Sequence, residues 1–112
     1  MKLWFINIRE VGKYDGERSA PRIYEIEAEE RFDYYELDKT NPNCYAGSVS
    51  KSEMRTNFNI FFTTEEEAKQ GFIDLCKRYA SCARERAKQD NKIAAALEGL
   101  LFEMKEKGVC TQ

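Results

Sequence analysis

Apolar and polar positions alternate over the first thirty residues in the manner of β-strands. Residues 2–10 divide into two faces, one with Trp4, Ile6 and Ile8 and the other with Leu3, Phe5 and Asn7. Residues 22–28 alternate in the same way, with glutamates on one face and apolar residues on the other. These segments predict two strands. Residues 11–21 between them contain two glycines and a proline and predict a long hairpin loop.

The middle of the chain predicts shorter elements. Residues 31–37 either extend the second strand or form a third, and residues 38–43 are rich in the residue types that favour turns. Residues 44–49 are consistent with a short strand. Residues 57–62 alternate more clearly and predict the last strand of the sheet.

A helix is predicted directly after this last strand. The Thr64 hydroxyl can accept from the backbone N–H of Glu67 while the Glu67 carboxylate reaches back, a pairing typical of a helix start. From 65 to 107, apolar residues recur at spacings of three and four, which indicates helix with one buried face. The polar segment 84–92 interrupts this stripe. It favours two helices over a single continuous one, which would be about 65 Å long at ~1.5 Å per residue.

These patterns predict an α+β fold in one domain: a small, mainly antiparallel sheet with its loops (1–63), two C-terminal α-helices (64–107) and a tail (108–112). A chain of 112 residues rarely divides into two packed cores. Alanines on both helices permit close helix approach, and we expect a homo-oligomer that associates through the C-terminal helices. The alternative, of equal weight, is that both helices pack on the sheet of their own chain.

The amino-acid composition excludes several classes of function. The chain has no histidine, which removes histidine-activated nucleophiles, the commonest general base and the commonest metal ligand. We therefore expect no enzymatic activity, no metal site and no cofactor. A net charge of −2 provides no overall positive field, and so neither nucleic acid nor a membrane is expected as a partner.

The N-terminal apolar run ends at Asn7 and Arg9, too early for a signal peptide or a membrane span, and we expect a cytoplasmic protein. The four cysteines then predict free thiols rather than disulfides. Their spacing does not match a zinc site, and Cys76 is assigned to the core.

Charge is distributed unevenly along the chain. Residues 25–38 carry seven acids and one base, and residues 77–92 carry six bases and two acids. The simplest interpretation is two solvated faces. The sharper hypotheses are a phosphate site in the basic segment and, in the acidic segment, a surface that imitates nucleic acid to a basic protein. The basic side chains concerned are Lys77, Arg78, Arg84, Arg86 and Lys88.

Some aromatic side chains are candidates for stacking on a base. Alternation assigns Phe58 and Phe62 to the core. The aromatic residues on faces not assigned to the core are Phe5, Tyr14, Tyr35 and Phe61. The predicted hairpin loop adds basic groups that can close on an anion, although a plain solvated loop explains them as well. These are Lys13, Arg18 and, just past the loop, Arg22.

The order of elements resembles a known family. Strand, loop and strand in WFINIREVGKYDGERSAPRIYEI, the junction NFNIFFTTEEEAKQGF and the terminal pair of helices resemble the phage-encoded Thoeris anti-defence sponge proteins in length and arrangement. The resemblance implies an oligomeric protein in the host cytoplasm that captures a signalling nucleotide of the cyclic ADP-ribose type without cleaving it. Such capture silences a bacterial immune effector.

A pocket for such a ligand needs arginines for the pyrophosphate, an aromatic ring for the adenine and Asn or Asp for the ribose. The ligand-binding candidates, chosen by chemistry rather than by matching family positions, are Phe5, Arg9, Arg18, Arg22, Arg55, Arg78, Arg84, Asp90 and Asn91. Two alternatives stay open. One is an inhibitor that binds a partner protein through the acidic face 25–38, and the other is an assembly module whose helices pair with copies of itself.

Overall fold

The computed structural model of the 112-residue chain describes residues 1–17, 19–44, 46–85 and 91–107. The strands are β1 (Lys2–Asn7), β2 (Ile23–Glu30), β3 (Tyr34–Leu37), β4 (Ser48–Ser50) and β5 (Asn59–Phe62). The helices are α1 (Ile8–Lys13), α2 (Glu65–Glu85) and α3 (Asn91–Lys107). The predicted tail at 108–112 lies outside the described residues.

The strands form one antiparallel sheet in the order β4-β3-β2-β1-β5. In this register Phe5 of β1 lies opposite Tyr24 of β2 and Phe61 of β5. The sheet precedes the two long helices, which confirms the predicted α+β fold class. β3 is a separate third strand, and β4 begins later than the short strand predicted at 44–49.

Both faces of β1 are buried. On one side, which we call the helix-bearing face, Ile6 packs with Ile23 against α2. On the opposite face, Leu3 and Phe5 pack beneath the segment between β3 and β5, which contributes Cys44 to the same cluster. A strand covered on both sides needs apolar residues at successive positions, and this explains the unbroken run at residues 3–6.

The two C-terminal helices pack side by side. Ala80 and Ala83 of α2 are buried in one cluster with Ala94 and Leu97 of α3. The prediction of two helices is confirmed, and the single 65 Å helix is wrong. α2 lies on β1, β2 and β5, whereas α3 packs mainly against α2 and α1. Among the described residues, no helix combines the length and hydropathy needed to cross a membrane.

Helix α1 occupies a stretch predicted as strand and loop. The predicted continuation of the first strand to residue 10 is wrong, and so is the predicted start of the loop at residue 11. Asn7 Oδ1 accepts from the backbone N–H groups of Arg9 at 2.9 Å and Glu10 at 3.2 Å, and Val11 is fully buried. An asparagine cap satisfies the first free N–H groups of a helix and permits the chain to turn here.

The predicted start of the long helical region is confirmed. The Thr64 hydroxyl accepts from the Glu67 backbone N–H at 3.2 Å and donates to the Glu67 carboxylate at 3.2 Å. Three glutamates occupy the first turn of α2, where the helix dipole favours negative charge. The Thr64 cap and the three glutamates therefore determine where the chain passes from β5 into α2.

Candidate functional site

The structure describes only some of the nine ligand-binding candidates. Arg18 and Asp90 lie outside the described residues, and only the backbone positions of Arg84 and Asn91, in α2 and α3, are described. Arg22 is half-buried directly before β2. The candidates whose surroundings bear on a site are Phe5, Arg9, Arg55 and Arg78.

Phe5 is not open to a ligand. Its side chain is fully buried, with its ring centre 5.1 Å from that of Tyr24 and 5.4 Å from that of Phe61. The expectation that Phe5 is free to stack on a base is wrong, because the segment between β3 and β5 covers this face of the sheet. The same cover buries Tyr35 and Phe61, and their predicted availability is wrong for the same reason.

Two of the predicted arginines line a single cavity. Arg55 lies beside β5, where it forms an isolated antiparallel bridge with Ile60, and Arg78 belongs to α2. The cavity, of about 240 Å³, lies on the helix-bearing face and we call it the arginine cavity. Its lining residues are Ile8, Arg55, Ile60, Leu75, Arg78, Tyr79 and Cys82.

Neither arginine of this cavity forms an ion pair with a carboxylate in the described part of the chain. Other surface cations behave differently: Arg31 lies 2.7 Å from a Glu36 oxygen, and Lys51 lies 2.7 Å from a Glu30 oxygen. The described residues that line the arginine cavity include no carboxylate. The two guanidinium groups bring positive charge to one cavity, where an anionic ligand could pair with them.

Tyr79 is held at the wall of the arginine cavity by its contact with α1. Its Cε1 atom lies 3.3 Å from the position that a Cβ atom at Gly12 would occupy. The approach of α1 to the ring therefore depends on the absence of a side chain at Gly12. The cavity thus combines two cations with a positioned aromatic ring, which can pack against a planar group of a ligand.

Arg9 belongs to a second cavity, of about 370 Å³, which we call the asparagine cavity. The Arg9 guanidinium carbon lies 4.7 Å from the centre of the Phe58 ring, in a cation–π contact. Phe58 is 46% exposed, and its predicted place in the core is wrong. The lining residues are Asn7, Arg9, Asn43, Ala46, Thr56, Asn57, Phe58 and Asn59.

The edge strand β5 separates the two cavities. Successive residues of a strand face opposite sides of a sheet. Ile60 lines the arginine cavity and packs against the helix-bearing core, whereas Asn59 lines the asparagine cavity and contacts Cys44. Asparagine is uncommon in strands, and the structure pairs two of them, Asn7 and Asn59, across β1 and β5, a pairing that the sequence alone does not show.

A third cavity, of about 430 Å³, lies along α1. Its lining residues are Asn7, Arg9, Glu10, Lys13, Tyr14 and Ser19. The Tyr24 hydroxyl donates to the two carboxylate oxygens of Glu10 at 2.9 and 2.6 Å, and burial together with this bond raises the pKa of Tyr24 to about 12. The Glu10 carboxylate makes this cavity less suited to an anion than the arginine cavity.

The acidic segment 25–38 is largely paired within the molecule. The ion pairs are Lys2–Glu25, Arg31–Glu29, Arg31–Glu36 and Lys51–Glu30, with N–O distances from 2.7 to 3.4 Å. Hydrogen bonds from Lys51 and Arg31 hold the pKa values of Glu30 and Glu36, respectively, below their usual range. Four of the seven acids thus have a basic partner in their own chain.

Three of the cysteines are described, and all three are free thiols. Burial raises the pKa of Cys76 to about 12, and it also raises the pKa of Cys44. Both side chains behave as small core residues, which confirms the assignment of Cys76 to the core. Within the described residues, no group of three His, Cys, Asp or Glu side chains is placed to hold a metal ion.

Comparison of the chain with known protein families, with curated proteins and with solved structures finds no match. A function for this chain is therefore argued from the chemistry of its cavities.

Proposed function

We propose that this protein binds and sequesters a small anionic nucleotide, of the cyclic ADP-ribose type, without catalysing a reaction. The observation that carries the proposal is the pair Arg55 and Arg78, two exposed arginines that line one cavity and have no carboxylate partner in the described chain. A phosphate or pyrophosphate group supplies the missing negative charge. Each guanidinium can form two parallel hydrogen bonds to it.

The arginine cavity fits part of such a ligand. Small-ligand sites are typically ~300–1,000 Å³, and this one is about 240 Å³. It therefore suits the phosphate-bearing part of a nucleotide, with Tyr79 against the adjoining ring and the rest of the ligand over the exposed surface. The apolar floor of Ile8, Ile60 and Leu75 reduces competition from water and strengthens the charge–charge attraction.

Sequestration also agrees with the chemistry of the lining. A ligand that is only captured requires affinity and a slow release, and no group that transfers protons. The chain has no histidine, and the described lining of the arginine cavity contains no carboxylate, with Tyr79 and Cys82 as its proton-bearing side chains besides the arginines. The two arginines are suited to binding charge rather than to general acid–base catalysis, because a guanidinium keeps its proton.

The hypothesis of an acidic inhibitor surface has less support. Nucleic-acid mimicry needs unpaired negative charge that a basic partner can reach. Arg31 and Lys51 neutralise part of the segment 25–38 from within the chain. Charge reversal at Glu27, an exposed acid of β2, is accordingly expected to leave the activity of the protein unchanged.

The proposal is tested by isothermal titration of the full chain with cyclic ADP-ribose, ADP-ribose and adenosine. We expect the two phosphate-bearing ligands to bind and uncharged adenosine to leave the arginine cavity empty. Arg55→Ala and Arg78→Ala should each weaken binding about tenfold or more, since a hydrogen bond to a charged group contributes ~1.5–3 kcal/mol. Lys77→Ala is the matched control, because it removes an exposed positive charge from the same helix outside the cavity lining.

Capture without cleavage is tested by recovering the ligand. The complex is denatured by heat, and the released nucleotide is compared with the starting material by chromatography. Recovery of the intact nucleotide supports sequestration, whereas a converted product identifies an enzyme. The proposal is wrong if neither phosphate-bearing nucleotide binds, or if both arginine variants bind as tightly as the Lys77→Ala control.

A further inference from the structure

Asn59 lines the asparagine cavity and carries an unpaired, buried polar atom. The residue is 5% exposed. Its Nδ2 atom lies 3.8 Å from Cys44 Sγ, whereas its Oδ1 atom has no hydrogen-bond partner among the described residues. A buried amide oxygen without a donor has lost the hydrogen bonds that water provides in the unfolded chain. The oxygen is closed off from solvent, and Asn59 lines the cavity, so that a rotation of its side chain would turn the oxygen toward a ligand that supplies the missing donor.

The neighbouring polar groups complement this acceptor. Asn7 Oδ1 accepts two backbone hydrogen bonds at the start of α1, which leaves its Nδ2 group available as a donor. Thr56 Oγ1 accepts from the Asn59 backbone N–H at 3.2 Å, so its own proton remains to be donated. Among the described residues, the lining contains no carboxylate and one cation, Arg9, whose guanidinium lies on the Phe58 ring. The cavity thus offers both donors and acceptors without a site for a cationic ligand.

An exposed aromatic ring borders these polar groups. Arg9 covers the ring of Phe58 at 4.7 Å, which restrains the ring while leaving 46% of the residue exposed. Carboxamides, a hydroxyl and an aromatic ring suit a ligand that has several hydroxyl groups and an apolar C–H face. Hydroxyl groups both donate and accept hydrogen bonds, as this lining requires.

We infer that the asparagine cavity binds a neutral sugar ring, either a free monosaccharide or the ribose of a nucleoside. One sugar hydroxyl donates to Asn59 Oδ1 after a rotation of the Asn59 or Thr56 side chain. A neighbouring hydroxyl oxygen accepts from Asn7 Nδ2, and the C–H face of the ring packs against Phe58. The volume of about 370 Å³ lies within the usual range of small-ligand sites, ~300–1,000 Å³.

This site does not depend on the proposed nucleotide function. The arginine cavity lies on the other side of β5, and no residue that the structure describes lines both cavities. Inorganic phosphate is expected to act at the arginine cavity and a neutral sugar at the asparagine cavity. The two sites can therefore be tested separately in the same sample.

The test is a titration of the ¹⁵N-labelled full chain, followed by two-dimensional NMR, with D-ribose, D-glucose, adenosine and inorganic phosphate as separate probes. We expect saturable shifts of the side-chain amide signals of Asn7 and Asn59 with a sugar-containing probe and none of these shifts with phosphate. Phe58→Ala and Asn59→Ala should each weaken the sugar binding about fivefold or more, as expected for the loss of one contact or hydrogen bond. Phe32→Ala, at an aromatic residue that is 97% exposed in the turn before β3, is the matched control.

The outcomes separate the sources of the sugar ring. Shifts with ribose or glucose identify a free monosaccharide, and shifts with adenosine alone identify a nucleoside. If Asn59→Ala does not fold, Phe58→Ala and Asn57→Ala replace exposed residues and preserve the test. The inference is overturned if no sugar-containing probe shifts these amide signals, or if Phe58→Ala and Asn57→Ala bind the sugar as the native chain does.

Discussion

The ring of Phe62 on β5 lies directly over Gly71 on α2. A Cβ atom at Gly71 would come within 2.7 Å of Phe62 Cε1 and closer still to Cζ, distances at which the ring or the helix must move. Glycine normally weakens a helix interior by ~1 kcal/mol relative to alanine. At Gly71 the absence of a side chain leaves room for Phe62, which is part of the contact between β5 and α2. The helix can therefore pack closely on the edge of the sheet.

We expect Gly71→Ala to lower the free energy of unfolding by roughly 1–3 kcal/mol, the usual cost of overpacking a core. Gly99→Ala is the matched control. Gly99 is also helical, in α3, but no described atom outside its chain neighbours and its own helix backbone lies within 4 Å of the position of its Cβ. This control should raise the free energy of unfolding by ~0.5–1 kcal/mol through helix propensity alone. Urea denaturation measures both changes, and two changes of the same sign would contradict the packing role of Gly71.

A second prediction concerns the contribution of the Thr64 helix cap to stability. Thr64→Ala removes the hydroxyl that accepts from the Glu67 N–H and donates to the Glu67 carboxylate. The loss should destabilise the protein by ~1 kcal/mol, as for other helix caps. Thr63→Ala, at an exposed neighbour just before the cap, should change the urea midpoint little. Equal midpoints for the two variants would show that the cap contributes nothing measurable.

Elements with a single buried face could be predicted from the sequence. Beyond Ile23, which is buried on the helix-bearing face, β2 alternates because Tyr24 and Ile26 enter the core on the opposite face while Glu27 remains exposed. α2 could be predicted because its cap and its apolar stripe agree. In both elements the local sequence pattern and the position of the buried face agree, so the pattern alone predicts the element.

Elements covered on both sides could not be assigned in the same way. At β5 the alternation suggested that Phe58 is buried, yet the loop places Phe58 at the surface, and Phe61 enters the core on the opposite face. Alternation alone cannot identify the outer face of a strand that packs on both sides. α1 was missed because Gly12 indicates a turn, whereas here it makes room for Tyr79.

The candidate site depends on tertiary packing. Arg55 and Arg78 are residues of the expected type, but only the placement of α2 on the sheet brings them to one cavity. The buried amide of Asn59 depends on the cover above the opposite face, which no local pattern indicates. The types of residue in the site could therefore be predicted from the sequence, but which of them lie in the same cavity could not.

Association through α3 leads to a third prediction. Leu97 is fully buried within the chain's own core, whereas Phe102 of the same helix is 64% exposed. We expect Phe102→Asp to convert an oligomer of the native chain into monomers with no loss of thermal stability. Leu97→Asp should instead unfold the chain, because it buries a charge in a packed core. Native mass spectrometry with thermal unfolding measures both, and a native chain that is already a monomer would rule out association through α3.

Because of Tyr24, we expect the free energy of unfolding to fall as the pH rises above 10. Its pKa is raised from 10.0 to about 12, first by burial and then by its hydrogen bond to Glu10. The folded state holds this proton more tightly than the unfolded state does. The resulting stabilisation is complete below pH 10 and is lost as the pH rises from 10 to 12, by up to about 3 kcal/mol at ~1.4 kcal/mol per pH unit.

Tyr24→Phe keeps a ring that can stack on Phe5 but has no proton to lose. At pH 7 it should destabilise the protein by ~1–3 kcal/mol through loss of the bond to the Glu10 carboxylate. Between pH 10 and 12 the difference in stability from the native chain should shrink, because only the native chain has this proton to lose. Burial raises the pKa of Cys76 to about 12, and the loss of this proton also lowers the stability at alkaline pH. This loss is the same in both proteins, so the difference in stability between them reports on Tyr24 alone. Tyr34→Phe, at an exposed tyrosine of β3, should retain the alkaline fall in urea midpoint, and an equal fall in Tyr24→Phe would contradict the assignment.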